Sequence, residues 1–359
     1  MELSALYQRS LPVDYYREAS FFQKEQIDIF SKNWLFFSPA SGLKRAGDYI
    51  TKKIANIPIV VLMHEDGNPR AFVNICPHRG ASLFTKPCGH SASSQIQCPY
   101  HGWVFNAEGR VKVMAGPAPK DEKMCRDLSL TPVKLASYQG LLFVHLDPEP
   151  LAFSQSLAPL IEIWDKNQVD FQSYEEPLEK KVLGNFNWKV WVEGFQECYH
   201  CYYVHPQLKN DFQLKDYKII NYDLFSVHSC ERKESSEQTG KNNGVWSWIY
   251  PNIGLPVYEY CFYVLQVNPI SVNQTELCYY MFFQKNTSQE QKKVFLDFWA
   301  NLTQEDVVIC ENIQTNLQSS YFKRGVLSEV RENGVLHFHN LLQNDLSRSQ
   351  QKIEVTNFC

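Results

Sequence analysis

The sequence predicts an α+β fold built on antiparallel β-sheet, with two compact domains and a helical N-terminal segment. A chain of 359 residues exceeds the usual size of a single hydrophobic core. Short β-type runs separated by Gly, Pro, Asn and Asp fill residues 38–150, as in a small antiparallel β domain. In residues 151–359, helical segments alternate with strand-like segments.

The N-terminal segment, residues 1–37, is predicted to form an amphipathic helix that packs on the C-terminal domain. Its apolar residues recur at roughly helical spacing from Phe21 to Phe37, among charged residues. The β domain at 38–150 ends in a predicted linker, DPEP. Its predicted strands are DYITKKI, IPIVVLM, RAFVNIC, QIQCPY, GWVFN and GLLFVHL.

The C-terminal domain, residues 151–359, combines three predicted helices with strand-like runs. The helices are expected at Leu157–Trp164, Asn187–His200 and Gln289–Leu317, and the strands include YEYCFYVLQV and TELCYYMFF.

Composition and charge are those of an ordinary globular protein, with 44% hydrophobic and 21% charged residues. A formal net charge of -4 gives no overall basic field, which argues against nucleic acid or an anionic membrane as a partner. No apolar run approaches the length of a membrane span, and the first twenty residues are too charged for a secretory signal. We therefore expect a cytoplasmic protein whose eleven cysteines are mostly reduced.

Two cysteines and two histidines form a metal-ligand pattern in the β domain. Cys76-Pro-His78 and Cys98-Pro-Tyr-His101 each follow a strand-like run. Such a set can bind one tetrahedral zinc, or a two-iron, two-sulfur cluster in which one iron takes both cysteines and the other both histidines. Zinc sites usually pair Cys with Cys and His with His, whereas each turn here mixes the two. The spacing therefore favours the cluster.

The runs CPHRG and CPYHGW resemble the ligand loops of the Rieske family. The resemblance implies that residues 38–150 are a Rieske domain whose [2Fe-2S] cluster is held by Cys76, His78, Cys98 and His101. The connecting loop also contains Cys88 and His90, which we interpret as surface residues.

A second group of metal-ligand residue types lies in the C-terminal domain. His200 and His205 follow the carboxylates Glu193 and Glu197. Two histidines and one carboxylate on one face of an iron leave positions open for dioxygen and substrate, as in non-haem iron oxygenases. Spacing alone leaves the third ligand open among Glu193, Glu197 and distant acids.

The run from Gln304 to Gln314 resembles the C-terminal catalytic-domain helix of Rieske oxygenase alpha subunits. This implies that Asp306 completes the iron site with His200 and His205, with Glu305 or Glu311 as substitutes. The resemblance extends from about Phe30 to Leu342. It implies that residues 151–359 are a mononuclear iron domain of helix-grip, START-like fold.

Glu197 resembles the family carboxylate that links a Rieske histidine of one subunit to the mononuclear iron of its neighbour; Glu193 is the alternative. Glu rather than Asp at this position resembles the branch acting on choline, carnitine or glycine betaine.

The motif GVLHFH, residues 334–339, resembles the same branch, and its alternating histidines are expected on a strand face. Asn187 matches a family position near the iron; an N-cap is the equal alternative.

The resemblance implies an oxygenase that uses O2 to hydroxylate or N-dealkylate a small quaternary amine. An aromatic ring-hydroxylating monooxygenase or dioxygenase is the alternative. A non-catalytic Rieske electron carrier or redox sensor and a structural zinc protein are hypotheses of other classes. Aromatic residues of the C-terminal domain could cage a trimethylammonium group or simply fill the core. The substrate candidates are Trp246, Trp248 and Tyr250, with Tyr258, Tyr260 and Tyr263 also noted.

Partners follow from what the chain does not contain. No G-x-G-x-x-G fingerprint follows a strand, so we do not expect the chain to bind a dinucleotide. Electrons from NAD(P)H would then reach the cluster through a separate reductase, with or without a ferredoxin. The usual assembly of the family implies a homotrimer.

Overall fold

The computed structural model describes residues 6–54, 56–91, 95–114, 121–167, 170–233 and 244–356. Contacts divide the chain into two compact units. The inserted unit is Phe30–Phe153, and the larger unit combines Met1–Ile29 with Ser154–Cys359. The domain boundaries predicted at residues 37 and 150 stay predictions. Within the described ranges, no helix has both the length and the apolar character needed to cross a membrane.

The described strands, in chain order, are β1 (Tyr7–Arg9), β2 (Leu35–Pro39), β3 (Asp48–Ile54), β4 (Ile57–Met63), β5 (Pro69–Val73), β6 (Cys88–His90), β7 (Ile96–Gln97), β8 (Val104–Phe105), β9 (Val111–Val113), β10 (Pro132–Tyr138), β11 (Leu141–His145), β12 (Leu178–Gly184), β13 (Lys218–Asn221), β14 (Phe225–Cys230), β15 (Gly244–Ile249), β16 (Ile253–Val257), β17 (Cys261–Ser271), β18 (Gln274–Phe283) and β19 (Val326–Ser328).

The described α-helices are α1 (Asp14–Arg17), α2 (Ala19–Asp28), α3 (Glu122–Asp127), α4 (Phe153–Ser156), α5 (Ala158–Lys166), α6 (Trp188–Phe195), α7 (Cys201–Val204), α8 (Pro206–Asp211), α9 (Gln289–Leu317) and α10 (Asn333–Thr356).

The inserted unit is built on an antiparallel sheet in the order β2-β11-β10-β5-β4-β3-β6, beside a small sheet β7-β8-β9. Strands β2 and β11 are buried along their whole length, as expected of continuous apolar runs. A core cluster between the strands contains Cys76 and Cys98 together with Phe72, Trp103 and Phe105. The predicted ligand turns are therefore rooted in the core of this unit.

The larger unit is built on an antiparallel sheet in the order β12-β18-β17-β16-β15-β14-β13. Its longest hairpin joins β17 to β18. Helix α6 packs on β17, α9 on β12 and α10 on β13. Helix α9 begins with a capping box, in which the Ser288 side chain and Gln291 cap each other's backbone N–H groups. The predicted α+β class, a small antiparallel β domain beside a domain of helices and antiparallel sheet, is confirmed.

The N-terminal helix is shorter than predicted. Helix α2 ends at Asp28, and Leu35 begins the fully buried strand β2. A short, continuous apolar run cannot be assigned to helix or strand by periodicity alone, which explains the difference. The strand predicted for residues 334–339 is also wrong, because these residues form the first turns of helix α10.

A buried ion pair fixes the N-terminal helix inside the larger unit. Glu25 on α2 accepts a hydrogen bond from the Lys189 ammonium at 2.5 Å and another from the Trp188 indole at 2.8 Å. Both Glu25 and Lys189 have fully buried side chains. The N-terminal segment therefore reaches helix α6, which leads directly into the predicted iron-binding residues.

Candidate functional site

Two matching turns present the predicted cluster ligands of the inserted unit. In the first, the Gly80 N–H donates to the Cys76 carbonyl at 2.9 Å; in the second, the Gly102 N–H donates to the Cys98 carbonyl at 3.1 Å. Gly80 and Gly102 have φ values of 75° and 71°, a conformation that favours glycine. Each turn closes over the ligand pair that it carries.

The four candidate ligands are sorted by burial. Cys76 and Cys98 are 1% and 2% exposed, while His78 and His101 are exposed at the surface with ring centroids 4.7 Å apart. Burial raises the pKa of the Cys76 thiol, and the neighbouring Cys98 raises it further. The Trp103 ring stacks beside His78, and its buried indole N–H has no hydrogen-bond partner among the described residues. Two inner thiols and two outer imidazoles fit a cluster with one iron on each pair.

The other two candidate ligands of the loop have different contacts. Cys88 and His90 lie on strand β6, which pairs with β3. The Nδ1 atom of His90 lies 2.9 Å from a carboxylate oxygen of Asp48. The surface interpretation of both residues therefore agrees with their place at the sheet edge.

Short helices position the predicted iron ligands of the larger unit. Helix α6 ends at Phe195, and His200 occupies the N-cap position of α7. His205 separates α7 from α8, whose first residue is Pro206. Asp306 comes from the middle of helix α9, 101 positions after His205 in the chain. The breaks between α6 and α7 and between α7 and α8 turn both imidazoles towards α9.

Three donor atoms converge at this point. His200 Nε2 lies 3.1 Å from His205 Nε2 and 3.5 Å from Asp306 Oδ1, and His205 Nε2 lies 3.0 Å from Asp306 Oδ1. Metal bonds of about 2.1 Å at right angles place neighbouring donor atoms about 3 Å apart. The three atoms therefore fit one face of an octahedral ion, the arrangement of two histidines and a carboxylate that leaves the opposite face open.

A carboxylate contacts the outer nitrogen of each histidine. Glu197 Oε1 contacts His200 Nδ1, and Glu305 Oε2 lies 2.8 Å from His205 Nδ1. Such contacts fix which ring nitrogen carries the proton and free the other for a metal. Sequence reasoning considered Glu305 only as a substitute ligand and did not find this second contact.

Electrostatics in the structure follow the same geometry. Burial alone would lower the pKa of His200, but hydrogen bonds to Asp306 and Glu197 raise the pKa to about 10. Burial also opposes the charged form of His205, and Asp306 and Glu305 raise its pKa. Burial would raise the pKa of Asp306, whereas the two histidines hold it below its usual value. The Asp306 carboxylate therefore stays anionic, and a metal ion bound by the three atoms would replace the protons on the two inner nitrogens.

Two family models match the chain. The model described as Rieske [2Fe-2S] domain matches residues 33–139, and the model described as ring hydroxylating alpha subunit (catalytic domain) matches residues 171–347. The first contains all four candidate cluster ligands and the second all three candidate iron ligands.

The chain belongs to the Rieske non-haem iron oxygenases.

Two of the following three relatives of this oxygenase match it over nearly its whole length. The carnitine monooxygenase oxygenase subunit of Escherichia coli (strain K12) is 26% identical, over 93% of this chain and 92% of the relative. The chloroplastic choline monooxygenase of Atriplex hortensis is 25% identical, over 91% and 76%. The glycine betaine monooxygenase oxygenase subunit of Chromohalobacter salexigens is 33% identical, over 60% and 45%.

Solved structures agree with the fold. A quaternary ammonium Rieske monooxygenase, described in terms of carnitine oxidation and inter-subunit electron transfer, matches with a TM-score of 0.82 at 25% identity, over 93% of this chain and 95% of that one. Naphthalene 1,2-dioxygenase from Rhodococcus sp. matches with a TM-score of 0.77 at 18% identity, over 95% of both chains, which shows the fold alone.

Family membership settles the class of chemistry. The oxygenase carries a Rieske [2Fe-2S] cluster and a catalytic domain that binds mononuclear iron, and it uses O2. It works on a small molecule with electrons from a separate NAD(P)H-dependent reductase. The electron-carrier and structural-zinc hypotheses are therefore set aside.

The oxygenase has a cavity of about 100 Å³ that opens on the histidines and Asp306. One side is an aromatic wall of five cavity-lining residues, Tyr217, Trp246, Tyr258, Tyr263 and Tyr279. Neighbouring members of this wall contact each other with ring centroids 5.5 to 6.2 Å apart. They come from adjacent strands and from the turns next to them, so the sheet assembles the wall.

Only one of the three substrate candidates lies at the cavity. Trp246 lines it, whereas Trp248 and Tyr250 are not among its described lining residues. Their rings contact Phe338 of helix α10, at centroid distances of 5.5 and 6.4 Å. The three side chains share one face of the sheet, but that face continues beyond the cavity and under α10. The substrate role predicted for Trp248 and Tyr250 is therefore not carried further.

Glu193, the alternative bridging carboxylate, is bound elsewhere. Its Oε1 accepts a hydrogen bond from the Tyr16 hydroxyl at 2.5 Å and lies 2.8 Å from His339 Nε2. Asn187 has the geometry of the N-cap alternative, since its side chain accepts from the Lys189 N–H at 3.1 Å. It also donates to the Val272 carbonyl at 2.8 Å.

A disulfide joins Cys198 to Cys201, on either side of His200. The sequence predicted mostly reduced cysteines, and seven further cysteines whose side chains the structure describes form no disulfide. The Cys201 sulfur lies within 4.8 Å of ring nitrogens of both His200 and His205. A disulfide sulfur therefore lies immediately beside the candidate iron site.

Proposed function

We propose that this oxygenase hydroxylates or N-dealkylates a small quaternary amine at an iron held by His200, His205 and Asp306. The observation that carries the proposal is the aromatic wall, which lies in the same cavity as these three residues. A cation held against aromatic faces gains about 0.5–2 kcal/mol, more where water is excluded. The carboxylates of Glu197 and Asp306 line the cavity as well and favour a positive charge.

The size of the cavity supports a small substrate. Its volume of about 100 Å³ suits a compact molecule. The relatives named above act on carnitine, choline and glycine betaine, which are compact trimethylammonium compounds. The chemistry of these relatives, together with the aromatic wall, favours a quaternary amine over the aromatic ring of the alternative hypothesis.

The protein contributes position and charge to the reaction. When bound, the iron supplies the activation of O2 for insertion into a C–H bond. Glu197 and Glu305 hold the two imidazoles in one tautomer, with Nε2 directed at the metal. The aromatic wall orients the ammonium group so that one methyl or methylene carbon faces the open coordination positions. Its apolar surface also limits the water that can compete there.

We assign the cluster to Cys76, His78, Cys98 and His101, and the electron link to Glu197. This carboxylate contacts His200 with one oxygen and accepts from the N–H groups of Tyr199 and His200 with the other. A cytoplasmic homotrimer, in which Glu197 also contacts a Rieske histidine of a neighbouring subunit, completes the proposal. The structure described in terms of inter-subunit electron transfer supports this assembly.

The proposal is tested with protein purified without added metal, its iron and sulfide content, and its electron paramagnetic resonance spectrum. We expect about three irons and two sulfides per chain. The protein, chemically reduced and exposed to O2, is then given a panel of quaternary amines and a panel of arenes. Oxidation of a quaternary amine at one equivalent per reduced site supports the proposal. Oxidation of arenes alone overturns it.

A further inference from the structure

A chain of hydrogen bonds runs from the aromatic wall into the interior of the larger unit. Tyr217 Oη lies 2.8 Å from His228 Nδ1, and His228 Nε2 lies 2.8 Å from Ser226 Oγ. The Ser226 hydroxyl donates to Gln196 Oε1 at 2.9 Å. His228, Ser226 and Gln196 are completely buried, while Tyr217 and His228 both line the cavity. The iron-site roles proposed above use none of these four groups.

The hydrogen bond between Ser226 and Gln196, at the buried end of this hydrogen-bond chain, determines which atom donates in each of the other bonds. A serine hydroxyl has one proton, and Ser226 gives it to Gln196. Ser226 therefore accepts from His228, whose Nε2 must carry the proton. Burial lowers the pKa of His228 to about 3, so the ring is neutral and has a single N–H. Its Nδ1 is then an acceptor, and the Tyr217 hydroxyl donates to it.

The only hydroxyl proton of Tyr217 is consequently used in the hydrogen bond to His228. Its oxygen offers only lone pairs to other partners. Hydrogen bonds in a chain polarise one another, so donation to His228 makes this oxygen a better acceptor. A ligand in the cavity that carries a donor would complete the chain, whereas a ligand without one would leave the oxygen unpaired.

We propose that Tyr217 determines specificity by accepting a hydrogen bond from a hydroxyl group of the substrate, so that the preferred substrate is a hydroxylated quaternary amine. A quaternary nitrogen has no N–H, so in a small substrate of this class a hydroxyl is the group that can donate. A site built to pair with a substrate hydroxyl discriminates against the analogue that lacks it, because the site's own polar group then stays unpaired. The inference rests on the proposed function and narrows its substrate class.

Other phenols of the wall offer a matched control. Tyr258 lines the same cavity, and its hydroxyl is engaged with Trp246 and Tyr263. Replacing Tyr258 by Phe removes a phenol oxygen from the wall without touching the chain from Tyr217 to Gln196. Tyr217→Phe and Tyr258→Phe are therefore the same chemical change, the first at a residue of the hydrogen-bond chain and the second at a residue outside it.

The test is anaerobic calorimetry on the iron- and cluster-loaded protein with two cations of similar shape. The probes are 2-hydroxyethyl-trimethylammonium and ethyltrimethylammonium, which differ by one hydroxyl. We expect the wild type to bind the hydroxylated cation about three- to tenfold more tightly, the range of one neutral hydrogen bond. Tyr217→Phe should bring the ratio of the two dissociation constants close to one, and Tyr258→Phe should leave the ratio near its wild-type value.

A second variant tests the direction of the chain without altering the wall. Ser226→Ala removes the acceptor of the His228 Nε2 proton, so the ring can carry its proton on Nδ1 and donate to Tyr217. The Tyr217 hydroxyl then turns its proton to the cavity, and the preference for the hydroxylated cation should fall. A role of Tyr217 in packing alone would not respond to this change.

Three outcomes overturn the inference. Equal binding of both cations by the wild type shows that the hydroxyl is not recognised, while the quaternary-amine proposal stands. A preference that survives Tyr217→Phe assigns the hydroxyl to another group. If neither cation binds, the proposed function is overturned as well. This outcome differs from equal binding of both cations, which overturns only the inference about the hydroxyl.

Discussion

At the residue scale, the proposed iron site depends on two carboxylates as well as on its three proposed ligands. Glu197 contacts the outer nitrogen of His200, and Glu305 contacts that of His205. An imidazole that gives its outer N–H to a carboxylate becomes a better metal ligand and keeps one orientation. The two histidines are therefore held by separate acids from different segments, one just before α7 and one on α9.

We expect Glu305→Gln to lower iron affinity by about ten- to one hundredfold, the usual effect of losing an outer-shell partner. The measurement is competition for iron with a chelator, followed by metal analysis. Glu311→Gln is the matched control, since Glu311 lies on the same helix and accepts from Asn185 instead. Equal iron affinity of the Glu305 variant and the control would contradict a positioning role for Glu305.

Glu197→Gln should separate electron transfer from metal binding. The amide keeps the size of the side chain but loses the negative charge that we propose links the two metal sites, so both metals should remain while cluster oxidation slows. Stopped-flow absorbance of the reduced cluster, mixed with O2 and substrate, measures that rate. Wild-type rates in this variant would refute the electron-link role.

His228 predicts a pH dependence of stability. Burial depresses its pKa to about 3, below the value of about 6.5 in an unfolded chain. The unfolded state therefore takes up the proton first, and the free energy of unfolding falls as pH drops from about 6.5 towards 3. Between pH 7.5 and 5 this residue should account for a loss of about 2 kcal/mol.

Urea unfolding of the wild type and of His228→Gln at these two pH values tests the prediction. The glutamine has no titrating ring, so the pH-dependent loss should be smaller in the variant by about that amount. Identical losses in the two proteins would show that His228 becomes protonated without unfolding.

At the element scale, the buried pair of Glu25 and Lys189 joins helix α2 to helix α6. Removing one partner leaves a buried, uncompensated charge, which costs about 3–5 kcal/mol. Replacing both by apolar residues avoids that cost. We therefore expect Glu25→Ala to lower the unfolding temperature strongly, and Glu25→Leu combined with Lys189→Met to recover most of the loss.

Thermal unfolding followed by circular dichroism measures both variants. The comparison isolates the charge, because the double variant also loses the hydrogen bonds of Glu25. A double variant no more stable than Glu25→Ala would show that packing, rather than an unpaired ammonium, dominates this contact.

Local patterns predicted most of the elements and the two ligand turns. Cysteine and histidine spacing in CPHRG and CPYHGW identified residues that the structure brings together. Asp306 needed the family resemblance, because no spacing rule joins it to His205 across one hundred residues. Trp248 and Tyr250 show another limit: strand periodicity gives the face of a side chain but not its position along the sheet relative to a cavity. Tyr217 and His228 carry no sequence signal, since their contact is made between strands.

At the whole-molecule scale, the inserted unit is a continuous stretch of chain whose two ends meet. Strand β2 near its beginning pairs with β11 near its end. A unit with adjacent termini and its own core can fold alone. We expect residues 30–153, expressed separately, to fold and to give a Rieske signal in electron paramagnetic resonance. A colourless, unfolded fragment would contradict this.

The larger unit, by contrast, is built from both ends of the chain. Tyr16 contacts Glu193, and Glu25 contacts Lys189. Deleting residues 1–29 should therefore destabilise the catalytic unit and reduce the yield of folded protein. Retained stability in the truncated protein, measured by thermal unfolding, would show that these buried contacts are dispensable.

Because a disulfide spans His200, we expect the presence or absence of a thiol reductant in the purification buffer to affect which metal ion the site binds. Opening the bond between Cys198 and Cys201 with a dithiol would free a sulfur that lies within 4.8 Å of ring nitrogens of His200 and His205, the two proposed iron ligands. Thiolate is a soft donor that suits zinc and cuprous copper better than carboxylate does. We expect preparations kept in thiol reductants to accumulate the wrong metal in this pocket, and thiol-free preparations to retain iron.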